Sequence, residues 1–235
     1  MNPRLVAAKK AVIKVTMPNS IFIAALLIAT LFPAGCRAPA PTDDPVDSAS
    51  EPTEPLAPCA PGMDPALGLL PENSPAKGGT ARVDVVVNVF SSLVCPHCAA
   101  LAETLDVLWK RSSWNSRVRL YFRHMPVSLE LHAATVAAFN QREDAFWALQ
   151  DEIYYRLREN GDYMSMDEVR AYAADTLGLD MAQFESDLVS DETAARLQAD
   201  RDIGEALGVT GTPSVFVCDQ KISASDLETV VSEYL

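Results

Sequence analysis

With 235 residues and 49% hydrophobic side chains, the chain is long enough for one or two domains with an ordinary buried core. Its 32 acidic against 19 basic side chains leave a formal charge of −13, which repels a phosphate backbone and excludes nucleic acid as an expected partner. The presence of only one long apolar run excludes a polytopic membrane protein.

That run is Ile21 to Phe32, twelve residues preceded by Arg4, Lys9, Lys10 and Lys14 and followed by Pro33-Ala34-Gly35-Cys36. A helix needs about 20 apolar residues to cross the hydrocarbon core, so this one is too short. Basic flank, short apolar stretch and small residues read as an export signal over residues 1–36. Its Ala-Gly-Cys ending resembles a bacterial lipobox, which makes Cys36 the expected lipidation site and the expected new N-terminus. Pro33 stands where that pattern usually has leucine. The competing readings are an uncleaved anchor and cleavage at another small residue.

Residues 37–80 read as a tether. Ten of the 16 prolines lie between Pro39 and Pro75, interspersed with Asp43, Asp44, Asp47, Glu51 and Glu54. Such a composition buries too little apolar surface to offset the entropy of ordering. From residue 81 to 235 the composition becomes that of a folded domain. Val83 to Phe90 is rich in β-branched residues and apolar on both faces, which predicts a central buried strand. Leu101, Leu105, Leu108 and Trp109 recur at helical spacing over residues 96 to about 111. Val118 to His124 alternates and reads as a second strand, completing a parallel β-α-β unit.

A helical stretch follows, roughly 130–207, broken at Asn160-Gly161 and Gly178 into at least three helices. Asp180 and Ser190 read as helix starts. Ser214 to Val217 is a short strand, with Lys221 to Ser223 as its hairpin partner. Ser225 to Tyr234 closes the chain as a helix, with Ser225 at the N-cap and Glu228 at the capping-box position. The resulting fold class is α/β.

The chemistry centres on Cys95-Pro96-His97-Cys98. Two cysteines three apart at a helix start lie on one face and can close a small disulfide. Unpaired backbone N–H groups there favour the thiolate of Cys95. Pro96 suits the first helical turn, where its missing N–H has no partner to lose. A protonated His97 adds positive charge beside the anion. Stabilising the thiolate stabilises the dithiol and makes the disulfide the stronger oxidant. Cys95, the more exposed sulfur, is expected to be the nucleophile, and Cys98 to resolve the mixed disulfide. A metal site would need about four ligands, and no second cysteine or histidine pair supplies them. A structural disulfide over so short a loop would add little stability.

Val209-Thr210-Gly211-Thr212-Pro213-Ser214-Val215-Phe216-Val217, taken with the Cys95–Cys98 motif and the element order, resembles the DsbA-like branch of the thioredoxin superfamily. Phe122 to Pro126 and the alanine-rich helix after it fit the same likeness, which runs from about residue 81 to 235. The resemblance implies a thioredoxin-like fold with an inserted α-helical subdomain. It also implies a cis Thr212–Pro213 bond facing the two cysteines, and a membrane partner that reoxidises or rereduces them. Thr212 and Pro213 are then the expected substrate-binding residues. Proline removes an N–H at a strand edge and leaves the Thr212 backbone free to pair with an extended substrate segment. Members of the branch often carry an acidic residue six positions before the nucleophile. Here that position is Val89, and neither Asp84 nor Asn88 replaces it, so thiolate formation at Cys95 should be easy while proton handling at Cys98 is left open.

Cys59 and Cys218 remain. In an oxidising compartment an even remainder points to a bridge between tether and domain; the alternative is a free thiol at 59 and a small buried side chain at 218. His124 and His132 read as structural histidines. Phe139, Phe146, Trp147, Tyr154 and Tyr155 read as core. The expected protein is therefore an exported, lipid-anchored, monomeric thiol–disulfide oxidoreductase on the periplasmic side of the cell envelope. It would oxidise reduced or unfolded exported proteins without an organic cofactor or metal. The alternatives are a reductase or isomerase, a non-catalytic chaperone and a metal carrier.

Overall fold

The computed structural model describes Cys59 and residues 74–235. The export segment with Cys36, and the tether apart from Cys59 and residues 74–80, lie outside the described residues. Five strands, β1 (Ala76–Gly78), β2 (Val85–Ser91), β3 (Val118–His124), β4 (Ser214–Val217) and β5 (Gln220–Ile222), form one mixed sheet in the order β1-β3-β2-β4-β5. β2 runs parallel to β3 and antiparallel to β4. It is buried along its whole length, as a β-branched strand flanked on both edges and both faces must be.

One face of the sheet packs on helices α1 (Pro96–Trp109) and α8 (Leu227–Ser232). There Val85, Val87 and Val89 meet Leu101, Leu105, Leu108 and Val231. On the other face Phe90 packs edge-to-face on Phe216, their centroids 5.6 Å apart. Between β3 and β4 the chain makes α3 (Leu129–Gln141), α4 (Glu143–Asn160), α5 (Met166–Ala171), α6 (Met181–Leu188) and α7 (Asp191–Ala206). Ala134, Ala137 and Ala138 on α3 let α4 and α6 approach closely, and Phe146, Leu149 and Ile153 fill the space between. The fold is α/β: a thioredoxin-like sheet with an inserted helical subdomain.

Several boundaries differ from the sequence reading. The tether was expected to reach residue 80, yet Ala76–Gly78 pair with Arg119–Tyr121 as an edge strand. Three residues without apolar alternation carry no strand signal, and only the waiting edge of β3 selects them. A short helix, α2 (Ser112–Arg117), follows α1 where none was expected. Asp180 and Ser190 do cap their helices, Asp180 accepting from the Ala182 and Gln183 N–H groups and Ser190 from that of Thr193. Ser225 does not cap the last one. A 3₁₀ turn over Ala224–Asp226 precedes α8, and the Ser225 hydroxyl bonds Ser223 and Asp226 instead. Glu228 is drawn away from the capping position by Arg111, whose Nη1 donates to it at 2.5 Å.

Two long-range links secure this arrangement. The first is a buried ion pair: Arg123 Nη1 of β3 donates to Asp200 Oδ1 of α7 at 3.0 Å, with side chains 0% and 3% exposed. Arg123 also donates to Asn88 and Ser74, and the second Asp200 oxygen accepts from the His124 N–H at 2.8 Å. Close by, Gly204 of α7 admits Met125, because a Cβ there would meet Met125 Sδ at 2.9 Å. The second is a disulfide between Cys59 and Cys218, with Cα atoms 5.8 Å apart across 159 positions of sequence. Cys218 opens the two-residue turn between β4 and β5 with φ +57°, a conformation that favours glycine. A glycine there would lose the sulfur. The Cys59 N–H donates to Asp84 O at 2.9 Å, which holds the bridge at the start of β2.

Removing one partner of a desolvated charge pair strands the other. Asp200→Ala should therefore cost about 3–5 kcal/mol in chemical denaturation. Peptide mapping without reductant should recover a linked peptide containing Cys59 and Cys218, and two separate peptides would contradict the bridge.

Candidate redox site

β2 ends at Ser91, and the chain turns through Ser92, Leu93 and Val94 into α1. Cys95 is the N-cap of that helix, in extended conformation, with Pro96 as its first residue and no acidic side chain in its first turn. The free N–H groups of the turn therefore face the Cys95 sulfur without a competing carboxylate. Cys95 is partly exposed and Cys98 is 2% exposed; both are free thiols. His97 is exposed on the outer side of the turn.

The register of β4 brings the other half of the site. Ser214 pairs with Phe90 at the end of β2, so the residues just before β4 lie beside the start of α1. The Thr212–Pro213 bond is cis. The Cys95 thiol donates to the Thr212 carbonyl at 3.3 Å. Pro213 and His97 line one groove with Leu101, Thr104, Lys221 and Ile222, so a trough of mixed polarity runs from the start of α1 toward β5.

The two sulfurs differ in their electrostatics. At Cys95 partial burial opposes ionisation, but it is outweighed by the Thr212 side chain, by Cys98 and by the backbone of Cys98 and His97, and the thiol ionises below its ordinary range. The bond to the Thr212 carbonyl belongs to the thiol form and works the other way. At Cys98 burial dominates and pushes the thiol up to about 11, against hydrogen bonds from Ser91, Ser92 and Thr212. The asymmetry follows from helix geometry, since the N-cap side chain sits at the rim and the third residue beyond it turns inward.

The remaining residues singled out in the sequence separate into two groups. Asp84 lies at the opposite end of β2, held by Arg82 and Arg117, and Asn88 faces away toward Arg123. Val89 faces the cysteine side and lines a small cavity with Cys98. His124 and His132 are fully buried, with Nδ1 atoms 2.8 Å apart. His132 Nε2 accepts the Leu93 N–H at 3.2 Å. A backbone N–H can only donate, so in the neutral pair His132 carries its proton on Nδ1 and gives it to His124. Burial pushes His132 down to about 3 and His124 well below its ordinary range. The pair is thus a neutral strut under the turn leading to Cys95.

Three contacts escaped the sequence reading. The Tyr154 hydroxyl of α4 shares a 2.7 Å hydrogen bond with Ser91 and donates to Ser92 O, directly beneath the cysteines. Asp151, one turn earlier on α4, lines the same cavity as Cys98. Helical spacing marks Tyr154 as a core residue, and nothing local ties either side chain to a turn some sixty positions upstream. Among the described residues no cluster of three His, Cys, Asp or Glu side chains could hold a metal ion, and no helix is long and apolar enough to cross a membrane.

The family model described as "Thioredoxin" matches residues 74–233. A "Probable disulfide bond formation protein D" of Bacillus cereus is 31% identical over 146 residues, 59% of this chain and 68% of that protein. Its namesake from Bacillus anthracis is equally similar, with 67% of its length covered. Among solved structures, BdbD of Bacillus subtilis in its oxidised form superposes with a TM-score of 0.59 at 17% identity, covering 69% of this chain and 94% of that one. DsbA2 of Pseudomonas aeruginosa gives 0.54 at 25% identity, covering 70% and 93%. The chain belongs to the thioredoxin family, as a DsbA-like thiol–disulfide oxidoreductase.

The two thiols should titrate in separate ranges. The ultraviolet absorbance of the reduced protein should show a thiolate forming below the ordinary cysteine range. Cys95→Ser should abolish that signal, leaving only the Cys98 transition near 11. A Cys95 that ionises no more readily than a free thiol would contradict the assignment.

Proposed function

We propose that this protein oxidises the thiols of exported proteins in the bacterial cell envelope. Cys95 is the nucleophilic sulfur, Cys98 its resolving partner, and Cys36 the lipid attachment point. The observation that carries this reading is the opposite bias of the two sulfurs: ionisation favoured at Cys95, opposed at Cys98. A dithiol that gains stability from a thiolate makes its disulfide readily reduced, and so a good oxidant. The Bacillus relatives, whose names refer to disulfide bond formation, support the same direction.

In the oxidised protein, a substrate thiolate attacks Cys95 Sγ. The Cys95–Cys98 bond breaks, its electron pair leaves on Cys98, and a substrate–Cys95 disulfide forms. A second substrate thiolate then attacks the substrate sulfur of this mixed disulfide and expels Cys95 as a stabilised thiolate. The substrate leaves oxidised by two electrons, and the protein leaves as the dithiol. Pro96 keeps the first turn open to the sulfur, and the His97 backbone N–H adds to the field that favours its anion. Thr212 and Pro213, in the loop just ahead of β4, present backbone for an extended substrate segment, with the adjoining trough to receive its side chains. A membrane redox partner restores the disulfide.

The reduction potential of the Cys95–Cys98 pair tests the direction. A value of roughly −200 mV or less negative fits an oxidant, and one near the −270 mV typical of thioredoxin would favour a reductase. Cys95→Ser should abolish oxidation of a reduced, unfolded test protein. Cys98→Ser mixed instead with a disulfide-bonded test protein should accumulate a mixed disulfide, as Cys95 attacks the substrate disulfide and expels one substrate thiolate, visible as a mass shift that reductant removes.

A further inference from the structure

When Cys98 leaves the disulfide it must gain a proton, and when it attacks it must lose one. The residue is 2% exposed, so bulk water has little direct access to its sulfur. The hydroxyls nearest it lead to Tyr154, whose own ionisation burial pushes well above its ordinary range, so that path ends in a group that keeps its proton. The other opening is the cavity behind the cysteines, with a volume of about 30 Å³, room for at least one water molecule. Cys98, Val89, Ser91, Gln150 and Asp151 line it. Its wall is polar at α4: Gln150 has a buried Oε1 without a partner, and its Nε2 donates to Asp151 Oδ1 at 3.4 Å.

We infer that Asp151, carried on α4 and not on the strand that leads into the cysteines, takes and returns the proton of Cys98 through water admitted to this cavity. The inference rests on the dithiol exchange proposed above. Val89 faces the same cavity from β2 and offers no carboxylate, so an acid that serves Cys98 there must come from another wall. In the oxidising direction the Cys95–Cys98 bond breaks, Cys98 leaves with the electron pair, and the Asp151 carboxyl protonates it by way of one water. Solvent then restores the Asp151 proton. In the reverse direction the Asp151 carboxylate accepts the Cys98 proton as the sulfur attacks.

The groups around Asp151 keep it suited to this exchange. They are Lys77 on β1, Asp106 and Cys98 on α1, Tyr154 and Arg158 on α4, and Tyr172 in the turn after α5. Burial pushes its carboxyl up to about 6; Lys77 and Arg158 oppose that rise and Asp106 adds to it. Lys77 is engaged elsewhere, 3.8 Å from Asp106 and over the Trp147 ring, and among the described residues no cation lies within ion-pair distance of Asp151. A carboxyl raised to this range can both give and accept a proton near neutrality, as general acid–base chemistry requires.

The test uses the reduced full-length protein mixed with oxidised glutathione and quenched in acid. The Cys95–glutathione adduct and its loss are read by mass across pH. Loss of the adduct is the attack of Cys98. In the wild type its rate should rise through an inflection at about pH 6 and level off. Asp151→Asn should remove that inflection and slow the step about a hundredfold at neutral pH, the lower end of what a positioned acid–base group contributes. Asp151→Glu should retain it, and so should His97→Gln. An Asp151→Asn protein with the wild-type profile overturns the relay while leaving the exchange intact. An adduct that never resolves in the wild type overturns the exchange itself. Should Asp151→Asn fail to fold by circular dichroism, the wild type and His97→Gln decide: an inflection kept in both supports the relay, and its absence from either overturns it.

Discussion

The chemistry depends on where the pairing of β4 with β2 leaves the chain just ahead of β4. Ser214 opposes Phe90, so the Thr212 carbonyl comes to rest on the sulfur that caps α1. A slip of one residue would turn Val215 and Val217 out of the core and carry Thr212 away from Cys95. The register is held at the far end by the turn at Cys218 and its bond to Cys59, and on one face by the packing of Phe90 against Phe216. The reactive end of the sheet is therefore positioned in part by bonds made at the unreactive end.

Within that frame a single helical turn separates two thiols of opposite character. The N-cap sulfur lies where backbone N–H groups are unpaired and solvent is near; the second sulfur lies among Leu93, Ala99 and Phe122. Neither character needs a charged partner. The difference arises from burial and from the polarity of the helix end, which explains how the site functions without a carboxylate on β2. A carboxylate there would oppose ionisation of the nearby thiols, whereas on α4, across a cavity, it can exchange protons from farther away.

The helical insertion forms the lower wall of the site. α4 supplies Tyr154 beneath Ser91 and Asp151 beside the cavity, α3 supplies His132 under Leu93, and α7 supplies Asp200 to the end of β3. Each of these contacts touches a strand end or a turn that leads into the reactive region. The insertion thus fixes the backbone around Cys95 from below, while a separate groove lined by His97 and Pro213 leads toward β5.

The sequence by itself determined the features that arise from neighbours along the chain. The β-branched run of β2, the alternation of β3, the caps at Asp180 and Ser190, and the proline after Cys95 each reflect interactions within a turn or so, and a local pattern is enough to read them. It also marked Cys95 and Cys98, the sulfurs of the proposed exchange, because a helix start acts on whatever side chain occupies it. The three-residue edge strand β1, the disposition of Glu228 toward Arg111, the His124–His132 strut and the Arg123–Asp200 pair were decided only by tertiary structure. So was the placing of Asp151 and Cys98 on the wall of one cavity. These depend on which polar groups are left facing one another once apolar faces have packed, and that outcome has no periodicity to betray it.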